Sequence, residues 1–127
     1  MALIRDLPNS NTLLALSAED LAPIVLRTVA AGAGEGIPIH LNSVTYTIYG
    51  PHHHMYEARF PGKHKNEIEA LVAEAWHVLI SARMLVPELG INGTNGFMRL
   101  TDRGKQALER EDTFRGFTEN TSLPKGM

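Results

Sequence analysis

Residues 66–107 read NEIEALVAEAWHVLISARMLVPELGINGTNGFMRLTDRGKQA, and this run decides the fold. Ile68, Leu71, Val72, Ala75, Leu79 and Ala82 recur at steps of three and four, so they share one face of a helix and give it a core to pack against. Pro87 ends the helical reading. Leu85-Val86-Pro87 and Phe97-Met98-Arg99-Leu100 are short extended candidates. Gly90, Asn92-Gly93 and Asn95-Gly96 lie between them and offer the positive-φ positions of a hairpin loop, so Leu85 to Thr101 is expected to project as an antiparallel hairpin. Thr101-Asp102 then provides an N-cap for a helix over Arg103 to Glu111, because a side-chain oxygen there can accept from the orphan amides of a new helix. Core helix, hairpin and capped helix in this order predict a winged helix-turn-helix of class α+β, mostly helical with a small β-hairpin wing. Such an architecture most often binds nucleic acid.

Composition narrows the reading. A chain of 127 residues suits one domain and can bury a sizeable core; 43% hydrophobic and 20% charged residues are globular proportions, not disordered ones. With no cysteine, a disulfide scaffold, a thiolate metal site and a cysteine nucleophile are excluded, and the chain suits a reducing cytoplasm, its expected location. Met1 to Pro8 carries Arg5 and Asp6 and no long apolar run, so neither a secretory signal nor a membrane span is expected. Twelve Lys and Arg against 14 Asp and Glu leave a net charge of -2, without the basic excess that supplies non-specific affinity for phosphate. A nucleic-acid role therefore has to rest on a local patch.

Upstream, Asn9-Ser10-Asn11 reads as a turn and Leu13-Leu14-Ala15-Leu16 as a packed lead-in. Ser17 is a cap, and Glu19 and Asp20 sit where a helix dipole favours negative charge; Leu21, Ile24, Val25, Leu26 and Val29 form the apolar face, Pro23 comes early enough to be tolerated, and Ala33-Gly34-Glu35-Gly36 ends the helix. From Ile37 to Lys65 the pattern is mixed. Val44 to Tyr49 is β-branched and aromatic, yet Asn42-Ser43 can cap a helix, and the reading adopted is an extended piece at Ile37 to His40 followed by a short helix. Gly50-Pro51 and Pro61-Gly62 bracket a loop-like insertion. The domain is expected over 1–112, with 113–127 an arm or a linker toward a further domain.

Several of these stretches together resemble the N-terminal winged-helix region of bacterial proteins of the abortive-infection type called Ymh, most of them uncharacterised. The likeness spans nearly the whole chain and rests on Leu13-Leu14-Ala15-Leu16 with Glu19-Asp20-Leu21-Ala22-Pro23, Glu74-Ala75-Trp76 with Leu79, Leu85-Val86-Pro87, Leu100-Thr101 with Arg103-Gly104, and Leu123-Pro124. The resemblance implies a winged helix in a regulatory or phage-defence protein, with Leu123-Pro124 leading toward a helical second domain. The insertion with three consecutive histidines departs from that pattern.

Candidate contacts to duplex DNA fall in two groups. Arg59, Lys63 and Lys65, with His64, approach the helix that starts at Asn66; Asn92, Thr94, Asn95 and Arg99 belong to the wing, and Arg103 follows it. Glu67, Glu69 and Glu74 oppose a DNA-reading role for the helix if they face the same way as Asn66 and Ala70. The alternative is a module for dimerisation or protein docking, using an exposed part of Trp76 with Ile80 and Met84. His52-His53-His54 are read as a surface loop, since adjacent residues of an extended chain point apart and cannot all converge on an ion; no metal and no cofactor are expected. Nor is catalysis. His77 follows Glu74 by one turn without a nucleophile motif, and Gly32 to Gly36 follows a helix where a phosphate-cradling loop follows a strand.

Overall fold

Asn9 caps a helix instead of making a turn. Its side-chain oxygen accepts from the Thr12 amide at 2.9 Å, and α1 (Ser10–Leu14) follows with Leu13 fully buried. Ser17 behaves as its sequence predicts, its Oγ accepting from the Asp20 amide at 3.1 Å at the start of α2 (Ala18–Gly32). Leu21, Ala22, Val25, Leu26 and Val29 are buried along α2, and Pro23 lies inside the helix without ending it. The computed structural model describes residues 3–32 and 38–109. The expected stop at Ala33 to Gly36, Ile37, the Glu111 end of the last helix and the arm at 113–127 lie outside the described residues.

Ile39 makes one antiparallel bridge with Met98, through backbone bonds of 2.8 and 2.7 Å. The chain then chooses helix over strand. In α3 (Asn42–Tyr49), Val44, Thr45 and Ile48 fall on one buried face, and that burial outweighs the β preference of these residue types. Neither Asn42 nor Ser43 caps it. His40 does, its Nδ1 accepting from the Asn42 amide at 3.1 Å while the Ser43 hydroxyl donates to the His40 carbonyl at 2.6 Å.

The insertion that follows is built, not loose. It contains two 3₁₀ turns, His53–Met55 and Gly62–His64, and buries Phe60 completely. Ser10 bonds to the Arg59 carbonyl through both its amide (2.8 Å) and its hydroxyl (3.1 Å), and the Tyr49 hydroxyl donates to the Pro61 carbonyl at 3.2 Å. Desolvation raises the Tyr49 pKa above the usual phenol value; a Ser10 hydrogen bond opposes this, and Glu69 adds to it. A raised folded pKa means stability that is complete below the unfolded value and lost as pH climbs through the folded one. Tyr49→Phe should therefore lose less melting temperature than the parent as pH rises above about 10. Equal losses would remove Tyr49 as the source.

Helix α4 (Lys65–Ser81) packs chiefly against α2 and also against α1 and α3. Ile68, Val72, Ala75 and Leu79 are buried as the spacing predicts, Leu71 is half-buried, and Ala82 is buried just past the end. Trp76 corrects the expectation of an apolar docking face. It is only 5% exposed, Met84 is fully buried and Ile80 is half-buried against the core, so these three face inward. The helix also stops well before Pro87. Arg83 takes φ +61°, and the Met84 amide bonds back to the Leu79 carbonyl at 2.9 Å, a left-handed stop more often made by glycine, which drops Met84 into the core.

Strands β1 (Leu85–Pro87) and β2 (Met98–Leu100) pair antiparallel, with Leu85 opposite Leu100, Val86 opposite Arg99 and Pro87 opposite Met98. The expected hairpin is present, but its tip differs. In place of tight turns at the Asn-Gly pairs stands one helical turn, α5 (Gly90–Thr94), entered through Gly90 (φ +66°) and left through Gly96 (φ +90°). The linking segment is too long for a two-residue turn and satisfies its amides by closing on its own carbonyls. Thr101 is the cap that the sequence suggests: its Oγ1 accepts from the Gly104 amide at 3.0 Å and donates to the Arg83 carbonyl at 2.6 Å at the head of α6 (Asp102–Glu109). Gly104 is there because a Cβ would stand 2.5 Å from the Met84 carbonyl oxygen. Gly104→Ala should cost about 1 to 3 kcal/mol through overpacking. A urea midpoint equal to that of the parent would contradict this close approach. Together the described residues form a mostly helical α+β unit with a two-stranded antiparallel sheet.

Candidate nucleic-acid interface

Strand alternation sets the outward face of the hairpin. Met98 points into the core, Arg99 is exposed, and Arg99 stands opposite half-buried Val86. At the tip Asn92, Thr94 and Asn95 are exposed, together with Leu89 and Ile91. The tip is held in place. The Glu88 amide donates to the Phe97 carbonyl and the Phe97 amide to the Asn92 carbonyl, both at 2.9 Å, and the Glu88 carboxylate accepts from the Leu89 amide at 2.9 Å. Gly93 packs so tightly on the Glu88 carbonyl that no Cβ fits.

His40 buttresses this tip from outside the hairpin. Because Nδ1 accepts from the Asn42 amide, the ring N–H is on Nε2, which lies 3.2 Å from the Asn95 carbonyl and donates to it. The ring also meets Phe97 edge-on, centroids 4.9 Å apart. Sequence pattern gives no sign of this role, since the partner lies 55 positions away.

Lys63, Lys65 and Asn66 are exposed at the approach to α4 and in its first turn. Arg59 is not available in the same way. One guanidinium nitrogen donates to the Arg5 and Leu7 carbonyls at 3.1 and 3.0 Å, and the group lies 5.5 and 5.4 Å from the Tyr56 and Phe60 ring centres. Arg59, expected to meet phosphate, ties the insertion to the N-terminal segment. Arg103 is half-buried in the first turn of α6. Arg83, exposed where α4 gives way to β1, adds a cation that periodicity did not mark.

The exposed stripe of α4 is unfavourable for phosphate. Glu67, Ala70, Glu74, His77 and Ser81 share it, while half-buried Glu69 turns toward α3, where the Thr45 hydroxyl donates to it at 3.5 Å. No Lys or Arg occurs between Lys65 and Arg83. Of the three consecutive histidines, His53 is bonded to the Phe60 carbonyl at 2.9 Å, and exposed His52 and His54 have ring centres 6.5 Å apart. Among the described residues no group of three or more His, Cys, Asp or Glu is arranged to hold a metal ion, and no helix is long and apolar enough to cross a membrane.

Comparison of the chain with protein-family models, curated proteins and solved structures finds no match.

Proposed function

We propose that this domain is a winged helix-turn-helix that binds duplex DNA without catalysing a reaction, with the wing as its principal contact. The observation that carries this reading is the hairpin itself: exposed Asn92, Thr94, Asn95 and Arg99 on a tip fixed by His40 and by its own backbone bonds. Chain order supports the architecture, since α2, the Ile39 bridge, α3, α4, the two strands and α6 succeed one another as they do in a winged helix, with Ile39 on the free edge of β2. Lys63, Lys65 and Asn66 supply a second contact on flanking phosphate. The exposed face of α4 is left out of the interface because Glu67 and Glu74 would repel the backbone. The likeness to the Ymh proteins supports a regulatory or phage-defence setting.

Those two glutamates also favour a second reading, a docking or dimerisation module whose partner is a protein with a basic surface. Salt-titrated fluorescence anisotropy on mixed-sequence duplex separates the two. DNA binding predicts an affinity that falls linearly on a log-log plot against salt, because counterions are released from phosphate. No binding at low salt would leave the docking module.

A further inference from the structure

His40 bonds through one ring nitrogen to α3 and through the other to the hairpin. Nδ1 accepts from the Asn42 amide at 3.1 Å, and Nε2–H donates to the Asn95 carbonyl at 3.2 Å. The hairpin side is closely fitted: the ring meets Phe97 edge-on, and a Cβ at Gly96, itself at φ +90°, would stand 3.0 Å from Nε2. Both bonding partners are backbone groups that do not titrate. No Asp, Glu, Lys or Arg occurs from Ile37 to Tyr56 or from Leu89 to Met98, and Glu88 and Arg99 flank the tip without bonding to the ring. The titratable groups of α3, Tyr46 and Tyr49, are phenols and neutral at about pH 7 and below.

We propose that His40 is a pH-sensitive latch, which joins the hairpin to α3 when the ring is neutral and lets go of α3 when it is protonated. The bond to Asn42 needs a bare Nδ1, whereas an imidazolium carries a proton on both nitrogens. Two N–H groups then face each other, and a cation lies at the positive end of α3. The other bond gains. Nε2–H donates more strongly from a charged ring, so the ring stays with Asn95 while the first turn of α3 loses its side-chain cap. Imidazole is the side chain that makes this change of charge between about pH 5 and about pH 8. The Ile39 bridge to Met98 and the Ser43 bonds to the His40 carbonyl do not involve the ring, so the fold survives the event. The latch does not depend on what the hairpin binds.

The test follows the isotope-labelled full chain by NMR from about pH 8 to about pH 5. Ring nitrogen signals of His40 should show Nδ1 bare and Nε2 protonated at the upper end, and both protonated at the lower end. The Asn42 amide proton should move in the direction of a lost hydrogen bond with the same midpoint as the ring, while the Asn95 carbonyl signal reports a strengthened one. His40→Asn isolates the source. Its side-chain oxygen can accept from the Asn42 amide two residues on, as in an Asx-turn, and does not titrate, so the Asn42 signal should stay flat across the range. The parent titration stands by itself if that variant does not fold. A proton on Nδ1 at the upper end, an Asn42 amide that does not follow the ring, or the same Asn42 titration in folded His40→Asn would overturn the latch.

Discussion

Trp76→Ala should lower the stability of the domain by about 3 to 5 kcal/mol, the range for emptying a large buried aromatic site. Only 5% of Trp76 is exposed, and it belongs to the same buried cluster as Val72, Ala75 and Leu79 on α4 and the inward residues of α2. Truncation leaves a cavity in that cluster. In a domain of about 100 residues each kcal/mol shifts the melting point by roughly 4 to 8 °C, so the variant should melt more than about 10 °C early. Its sedimentation should match that of the folded parent. A normal melt with a changed mass would mean instead that Trp76 serves an interface.

The second large effect concerns binding. If duplex DNA is the ligand, as proposed, reversing Arg99, Lys63 and Lys65 together to Glu should weaken binding by roughly tenfold or more and reduce the salt slope by about 0.9 for each phosphate that is no longer neutralised. All three side chains are exposed, so the melting temperature should stay close to that of the parent. A folded triple variant with unchanged affinity would move the proposed contact surface elsewhere or favour the docking-module reading.

What the sequence reveals follows the range of the interactions involved. The buried face of α4 and the Ser17 and Thr101 caps depend on neighbours a few positions away, and the pairing of β1 with β2 spans only 11 to 15 positions across one short link, so periodicity and residue type are enough to read them. Trp76 sits at the margin of its helix face, where tertiary packing and not periodicity decides that it joins the core. Arg59 looks like a free cation until the Arg5 and Leu7 carbonyls, more than 50 positions upstream, are brought to it. His40 likewise becomes both a cap for α3 and a brace for the hairpin only once Asn95 is folded beside it. The helical turn at the hairpin tip is hidden by its own glycines and asparagines, which suit a tight turn equally well. Lys63, Lys65, Asn66 and the polar residues of the hairpin are legible as exposed positions because nothing in the pattern calls for their burial.

The claim that the wing is the principal DNA contact is tested most directly by titrating the isotope-labelled full chain with mixed-sequence duplex at low salt and following backbone amide shifts. The account predicts changes at Ile91 to Asn95 and Arg99, smaller ones at Lys63 to Asn66, and their reversal when salt is added. Shifts confined to the Glu67 to Ser81 stripe of α4, or no shifts at all, would contradict it.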